Sequence, residues 1–160
     1  MRAGPSGNGL YYDTLTGSTL TDSIQFTYDT GVMLQADVLW YQVTGDQQYL
    51  TTAERLATAA SAAFVNPADG VMAQAGPSGP AFNSIYLQAA ADLTAADGNQ
   101  QWLRIGVTSA AAAASWDADQ STYGANWDGV NAYYDAGNLD VLTQAGTVRL
   151  FAILAAAHPR

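Results

Sequence analysis

"FTYDTGVMLQADVLWYQVTGDQQYL" (Phe26 to Leu50) reads as one helix, a Gly-Asp turn and the start of a second helix. Fifty-three residues later, "AFNSIYLQAAADLTAADGNQQWL" (Ala81 to Leu103) repeats the plan without a gap. Leu34-Gln35-Ala36 falls on Leu87-Gln88-Ala89, and Gln47-Gln48-Tyr49-Leu50 falls on Gln100-Gln101-Trp102-Leu103. A hairpin that recurs in register buries its apolar face only against its neighbours, which is the logic of a solenoid or an α/α toroid. The fold class that follows is all-α, built of repeated helical hairpins. An ordinary antiparallel bundle is the alternative, and the ungapped register with matching turns argues against it.

Periodicity extends this reading along the chain. The first helix covers about 28–44, with Val32, Ala36, Leu39, Trp40 and Val43 at spacings of three and four as its buried face. Gly45 takes the left-handed C-terminal position and Asp46 caps the next helix, which reaches about Phe64 with Leu50, Ala53, Ala57, Ala60 and Phe64 as its stripe. Prolines and glycines mark 65–80 as a loop. A third helix follows over about 81–96, with Phe82, Tyr86, Ala90 and Leu93 in one row, and Gly98 stops it. The fourth, about 99–115, carries Leu103, Val107, Ala110 and Ala114. Residues 116–137 break any period. A last helix, about 138–157, is apolar on two sides: Val141, Ala145, Val148 and Ala152 on one, Leu139, Leu142, Leu150 and Ile153 on the other. That pattern predicts a sandwiched helix. Its "LTQAGTV" (Leu142 to Val148) weakly echoes "LQADV" and "LQAAA", as a third repeat would.

Composition narrows the function classes. The 160 residues fit one domain, 1–160, with 1–27 as an extended leading segment. Charged residues are only 12%, with thirteen Asp, one Glu, five Arg and no Lys, for a net charge of −9. Without a basic cluster there is no surface that releases counterions, so neither nucleic acid nor an anionic membrane is an expected partner. No apolar run near the length of a membrane span occurs, and Met1 to Gly7 lacks the apolar core of a signal peptide. Cysteine is absent, which removes thiol catalysis and thiolate metal sites. Scarce Lys with abundant Ala, Gly, Thr and Asp fits a high-GC bacterial source.

No phosphate-cradling loop, Gly-x-Ser-x-Gly elbow or His-Glu-x-x-His string occurs. The single histidine, His158, stands two residues from the end, which leaves no Ser-His-Asp relay and no multi-His metal site. The expected cofactors and metals are none. What remains is carboxylates beside aromatics. Asp13 follows Tyr11-Tyr12, Asp29 follows Phe26-Thr27-Tyr28, Asp117 follows Trp116, Asp128 follows Trp127, and Asp135 follows Tyr133-Tyr134. A ring covers the apolar face of a pyranose while Asp, Asn and Gln bind its hydroxyls, so this pairing suits a sugar site. Acid-base work on a glycosidic bond needs two carboxyl groups, about 5–5.5 Å apart for retention. Structural roles compete with each assignment. Asp29 and Asp46 complement the positive ends of helices, Trp127 plugs one end of the core, and Asp37 and Asp92 sit on solvated helix faces.

Taken together, "GLYYD" (Gly9 to Asp13), the 26–50 hairpin, "FNSIYLQAAADL" (Phe82 to Leu93) and "W…YGANWDG" (Trp116 to Gly129) resemble glycoside hydrolase family 76, the α-1,6-mannanases and related transglycosylating enzymes. "FTYDTGV" is similar to that family's Phe-Thr-Tyr-Asn-Gln-Gly-Val signature, with Asp29-Thr30 standing where the family has Asn-Gln. The resemblance implies a partial (α/α)6 toroid corresponding to the family's C-terminal half, retaining hydrolysis, and a mannan-type polysaccharide as partner. It implies secretion for a full-length member. It also places Tyr28, Asp29 and Gly31 near the cleft, with Trp127-Asp128-Gly129 in a later cleft loop. The substrate-binding candidates are therefore Tyr28, Asp29, Trp127, Asp128 and Asp13. The family's catalytic pair is two adjacent Asp residues, and no Asp-Asp occurs in this chain. Catalysis would need completion by a missing N-terminal half, and the open helical edge would need that half or a second copy to cover it. A non-catalytic carbohydrate-binding or helical scaffold domain is the alternative function.

Overall fold

The computed structural model describes residues 7–13, 15–16, 19–20, 24–72, 79–117, 127 and 141–157. Five helices carry the architecture: α1 (Thr27–Thr44), α2 (Gln47–Phe64), α3 (Gly79–Asp97), α4 (Gln101–Asp117) and α5 (Val141–Ala157). Two short antiparallel strands, β1 (Leu15–Thr16) and β2 (Thr19–Leu20), pair Leu15 with Leu20 in the leading segment. Among the described residues the fold is all-α apart from that hairpin and one isolated bridge.

The two turns that define the repeat match atom for atom. Gly45 at φ 71° sends its N–H to the Tyr41 carbonyl, and Gly98 at φ 76° sends its N–H to the Thr94 carbonyl. Positive φ costs glycine no Cβ clash, so each residue ends its helix and turns the chain in one step. Asp46 then accepts from the Gln48 N–H at 2.9 Å, and its repeat partner Asn99 accepts from the Gln101 N–H at 3.1 Å. Each cap satisfies an otherwise orphaned donor of the following helix. Turns this short force antiparallel hairpins.

The helices stack in two layers. α3 lies between α1 and α5 in one row, while α2 and α4 pack behind that row. Glycine sets the spacing of the row. A Cβ on Gly31 of α1 would stand 2.7 Å from Tyr86 Cα and 2.9 Å from Tyr86 N on α3. A Cβ on Gly146 of α5 would stand 2.4 Å from Ala81 N and from the Pro80 carbonyl carbon. At both seams, backbone meets backbone. The core between the layers joins Leu34 and Val38 of α1, Leu56, Ala57 and Ala60 of α2, Tyr86, Ala90 and Leu93 of α3, and Leu150 of α5. Tyr86 is fully buried and donates its hydroxyl to the Ala57 carbonyl at 3.4 Å, tying α3 to α2. Behind α2, Val65 and Met72 form an isolated antiparallel bridge, and the Met72 N–H donates to Ser109 Oγ of α4 at 3.0 Å.

Several expected faces are turned differently. The stripe expected to bury α1 is its open side, with Val32, Leu39, Trp40 and Val43 exposed; the buried side is Thr27, Thr30, Gly31, Leu34, Asp37 and Val38. Periodicity finds an apolar face but not its partner, and here the seam demands small residues instead. Asp37, expected on a solvated face, is 1% exposed. Asp92 is half-buried and receives two amide hydrogen bonds, from Gln35 Nε2 of α1 at 2.8 Å and from Gln88 Nε2 at 3.1 Å. The two glutamines are repeat equivalents closing on one carboxylate. On α4, Leu103 and Ala110 are buried while Val107 and Ala114 are exposed. Among the described residues the expected sandwich around α5 does not form, and Leu139 lies outside those residues. Leu150 and Ile153 are buried, but Val141, Leu142, Ala145, Val148 and Ala152 are exposed. The stripes of α2 and α3 stand as expected, with Phe82 half-buried.

The seams predict a graded response to alanine. Gly31→Ala and Gly146→Ala should each cost about 1–3 kcal/mol or more, because the obstructing atoms are backbone. Gly106→Ala meets only leucine side-chain methyls, Leu154 at 3.3 Å and Leu150 and Leu87 at 3.6 Å, and gains about 1 kcal/mol of helix propensity, so it should be near neutral. Chemical denaturation of the three variants checks the order.

Candidate functional site

The leading segment brings the acidic and aromatic residues together. Asn8 and Gln25 exchange amide hydrogen bonds at 2.9 and 3.1 Å, and the Asp13 N–H donates to the Ile24 carbonyl at 3.0 Å. Leu10 is fully buried between these contacts. "GLYYD" is thus laid beside the entry to α1, and Asp13 meets Tyr28 across it. The Tyr28 hydroxyl donates to Asp13 Oδ1. Three rings gather at this end: Phe26 stacks on Tyr28 at 5.4 Å, Tyr28 meets Phe82 of α3 at 4.6 Å, and Phe26 meets Phe82 edge-on at 5.7 Å. Such contacts hold the rings in fixed orientation.

Asp29 stands in the first turn of α1, three residues after its N-cap Phe26. Its carboxyl is pushed up to about 6, first by burial and then by the nearby Asp13 charge; a hydrogen bond with the Phe26 backbone pulls the other way. That backbone contact is the acidic half of a capping arrangement, so the helix-end role and the polar-site role coexist in one residue. Asp29 Oδ2 is buried with no hydrogen-bond partner among the described residues. The Tyr28 hydroxyl is raised to about 12, chiefly by its hydrogen bond to Asp13 and further by burial. Thr27 and Thr30, next to Asp29 in sequence, and Asn83 of α3 bury side-chain oxygens that also lack partners among the described residues.

Three of the five candidate residues, Asp13, Tyr28 and Asp29, therefore converge at the N-terminal end of α1. Trp127 does not join them as an open platform. It is 2% exposed, and its indole N–H donates to Thr147 Oγ1 of α5 at 2.9 Å, while Thr147 donates to the Thr143 carbonyl. A ring this covered has no face left for a sugar, and the core-plugging reading fits it. Asp128 lies outside the described residues, as do Asp135 and His158. Residue-by-residue reading missed the partner Phe82 as a site member and the Gln35–Asp92–Gln88 cluster. The latter borders a groove of about 500 Å³ whose lining includes Gln88, Asp92, Gln100, Leu103 and Arg149. Phe82 and Asp92 are ten residues apart on α3, about 15 Å along the axis, so this groove is distinct from the aromatic cluster. The identical Leu-Gln-Ala triplets in α1 and α3 were the available signal. Among the described residues no group of His, Cys, Asp or Glu is arranged to hold a metal ion.

The elevated Asp29 carboxyl has a signed consequence. Its folded value of about 6 lies above the ordinary 3.8, so the folded state favours the protonated form and loses stability as pH rises toward 6. The stability gained by Asp29→Asn over the parent should grow through that window and level off above it, as thermal melts across pH would record. An NMR titration of Asp29 should centre near 6 and move down, without reaching 3.8, in Asp13→Asn.

Comparison with known proteins adds the ancestry. No curated protein sequence matches the chain. Among solved structures, a family 76 glycoside hydrolase from a bovine Bacteroides thetaiotaomicron strain superimposes with a TM-score of 0.80 at 21% identity, over 96% of this chain and 35% of that one. An α-1,6-mannanase from a Salegentibacter species gives 0.75 at 24% identity, over 94% and 47%. An inactive double Asp-to-Asn variant of that mannanase, in complex with α-1,6-mannotriose, gives 0.66 at 23% identity, over 84% and 40%. The chain thus spans less than half the length of each of these structures, and at these identities they establish the part-toroid fold. Residues 5–158 match Glycosyl hydrolase family 76, and the chain belongs to that family.

Proposed function

We propose that this chain is a glycoside-hydrolase-like domain that holds α-1,6-mannan-type polysaccharide at the N-terminal end of α1, as the C-terminal half of a family 76 toroid. The observation that carries this reading is the convergence of Asp13, Tyr28 and Asp29 with Phe26 and Phe82. Rings offer apolar faces to a pyranose, and one carboxyl that stays partly protonated near neutral pH can donate to a sugar oxygen where its neighbour accepts. The Salegentibacter complex with α-1,6-mannotriose supports the choice of sugar. Asp128 belongs to the same reading as a cleft residue.

Hydrolysis is a separate matter. Retention needs one ionised and one protonated carboxyl about 5–5.5 Å apart, and the family's adjacent Asp pair is not in this sequence. Bond cleavage is therefore assigned to an assembly in which another segment or chain supplies that pair. The second reading, a non-catalytic carbohydrate-binding domain, is favoured by the same absence.

An affinity gel carrying α-1,6-mannan should retard the chain, and Tyr28→Ala should weaken retention about tenfold, the loss of one ring contact with its hydrogen bond. Unretarded protein, or retention indifferent to Tyr28, would remove the proposed site. New reducing ends released from mannan by the chain alone would overturn the assignment of cleavage to an external Asp pair.

A further inference from the structure

The leading segment is fastened to the entry of α1 at two places. At one, Asn8 and Gln25 pair amide to amide: Asn8 Nδ2 donates to Gln25 Oε1 at 2.9 Å, and Gln25 Nε2 donates to Asn8 Oδ1 at 3.1 Å. At the other, the Asp13 N–H donates to the Ile24 carbonyl at 3.0 Å while Asp13 Oδ1 accepts from the Tyr28 hydroxyl. Leu10, fully buried, anchors the chain between them. Asn8 itself is exposed, and its Oδ1 also accepts from the Leu10 N–H at 3.3 Å.

The residue after Asn8 is Gly9, and no other asparagine in the chain precedes a glycine. The carboxamide carbon of an asparagine is open to attack by the next backbone nitrogen. A side chain on that next residue obstructs the approach, and glycine has none. Among the described residues the Gly9 N–H has no hydrogen-bond partner to hold it back. The other described asparagines are worse placed. Pro67 after Asn66 has no N–H, Asn83 is fixed inside α3, and Asn99 precedes the bulky Gln100.

We infer that Asn8 is a site of spontaneous deamidation and that its conversion unfastens the leading segment from α1. Base removes the Gly9 amide proton, the nitrogen bonds to Asn8 Cγ, and the Cγ–Nδ2 bond breaks as Nδ2 leaves as ammonia. Water then opens the cyclic succinimide at either carbonyl, giving aspartate or isoaspartate; one water is consumed for each ammonia released. Neither product has the Nδ2 donor, so Gln25 Oε1 loses that partner. The new carboxylate also adds a negative charge to a segment that already sets Asp13 near Asp29. Isoaspartate further lengthens the main chain beside buried Leu10. The amide pair gates its own loss. Ring closure needs Cγ over the Gly9 nitrogen, and the bonds from Gln25 and Leu10 hold the carboxamide toward other partners, so reaction proceeds from locally opened states. This chemistry belongs to the leading segment and is independent of the sugar reading.

Incubation of the full chain at mildly alkaline pH, followed by intact mass spectrometry and peptide mapping, tests the inference. Asn8 should convert first, the product heavier by the difference between water and ammonia and labelled by an isoaspartyl methyltransferase. Gln25→Ala should speed conversion about tenfold, the effect of removing one or two net hydrogen bonds from the closed state. Asn8→Asp reproduces the lost donor and the added charge with an ordinary backbone. In that variant, and in the aged parent, the Tyr28 ring should titrate by NMR below the parent's value of about 12, with an unchanged helical circular dichroism spectrum. Conversion at Asn8 no faster than at Asn66, Asn83 or Asn99, a rate indifferent to Gln25→Ala, or a Tyr28 titration unmoved by Asn8→Asp would each overturn the inference.

Discussion

At two seams of this molecule helix backbone meets helix backbone because a side chain is absent. Gly31 lets α1 lie directly on the backbone of α3 at Ile85 and Tyr86, and Gly146 lets α5 lie on α3 at Pro80 and Ala81. Everything else in the row is positioned by these seams. A helix without Cβ at the crossing brings its neighbour in far enough for short side chains to touch, and the alanines and threonines around them then become a packed core rather than a loose one. This explains how a chain with many small residues builds a continuous interior. It also explains why the buried side of α1 includes Thr27, Thr30, Gly31 and Leu34 rather than Val32, Val43 and Trp40.

The same close approach shapes the chemistry at the entry to the row. Because α1 and α3 meet at Gly31, their first turns are brought together, and Phe82 reaches Tyr28 and Phe26. The leading segment then adds Asp13. Two carboxyl groups and a phenol in one partly dry place cannot all behave as they do in water. Tyr28 yields its proton less readily because Asp13 holds it, and Asp29 ionises less readily because it is desolvated beside another anion. A carboxyl of this kind is a donor at pH values where an ordinary aspartate is only an acceptor. Further along α3, Gln35 and Gln88 hold Asp92 as an acceptor with defined geometry. The row thus carries two polar stations at different heights along the same helix.

Much of this was legible in one dimension. The hairpins, their turns at Gly45-Asp46 and Gly98-Asn99, and the stripes of α2 and α3 follow from spacing and from the backbone needs of glycine and of caps, which are local properties. Asp13, Tyr28 and Asp29 could be picked out because carboxylates stood beside aromatics in the motifs. Trp127 stood beside a carboxylate as well, yet it is buried on Thr147. Adjacency in sequence says that a ring is near an acid and is silent on whether solvent reaches the ring. Asp37 and Asp92 show the same limit, since a polar residue on a helix is read as solvated until another helix is known to cover it.

The sequence by itself determined the all-α class, the repeat, the turn geometry and the family, because each rests on residues close together in the chain. Only the tertiary structure decided which side of α1 and α5 is inside, which aspartates are desolvated and which tryptophan is covered. Those outcomes depend on what lies across a seam, and a helix with apolar residues on two faces carries no internal record of which face its neighbour will take. The neighbour's backbone makes that choice, through the few places where glycine lets it come near.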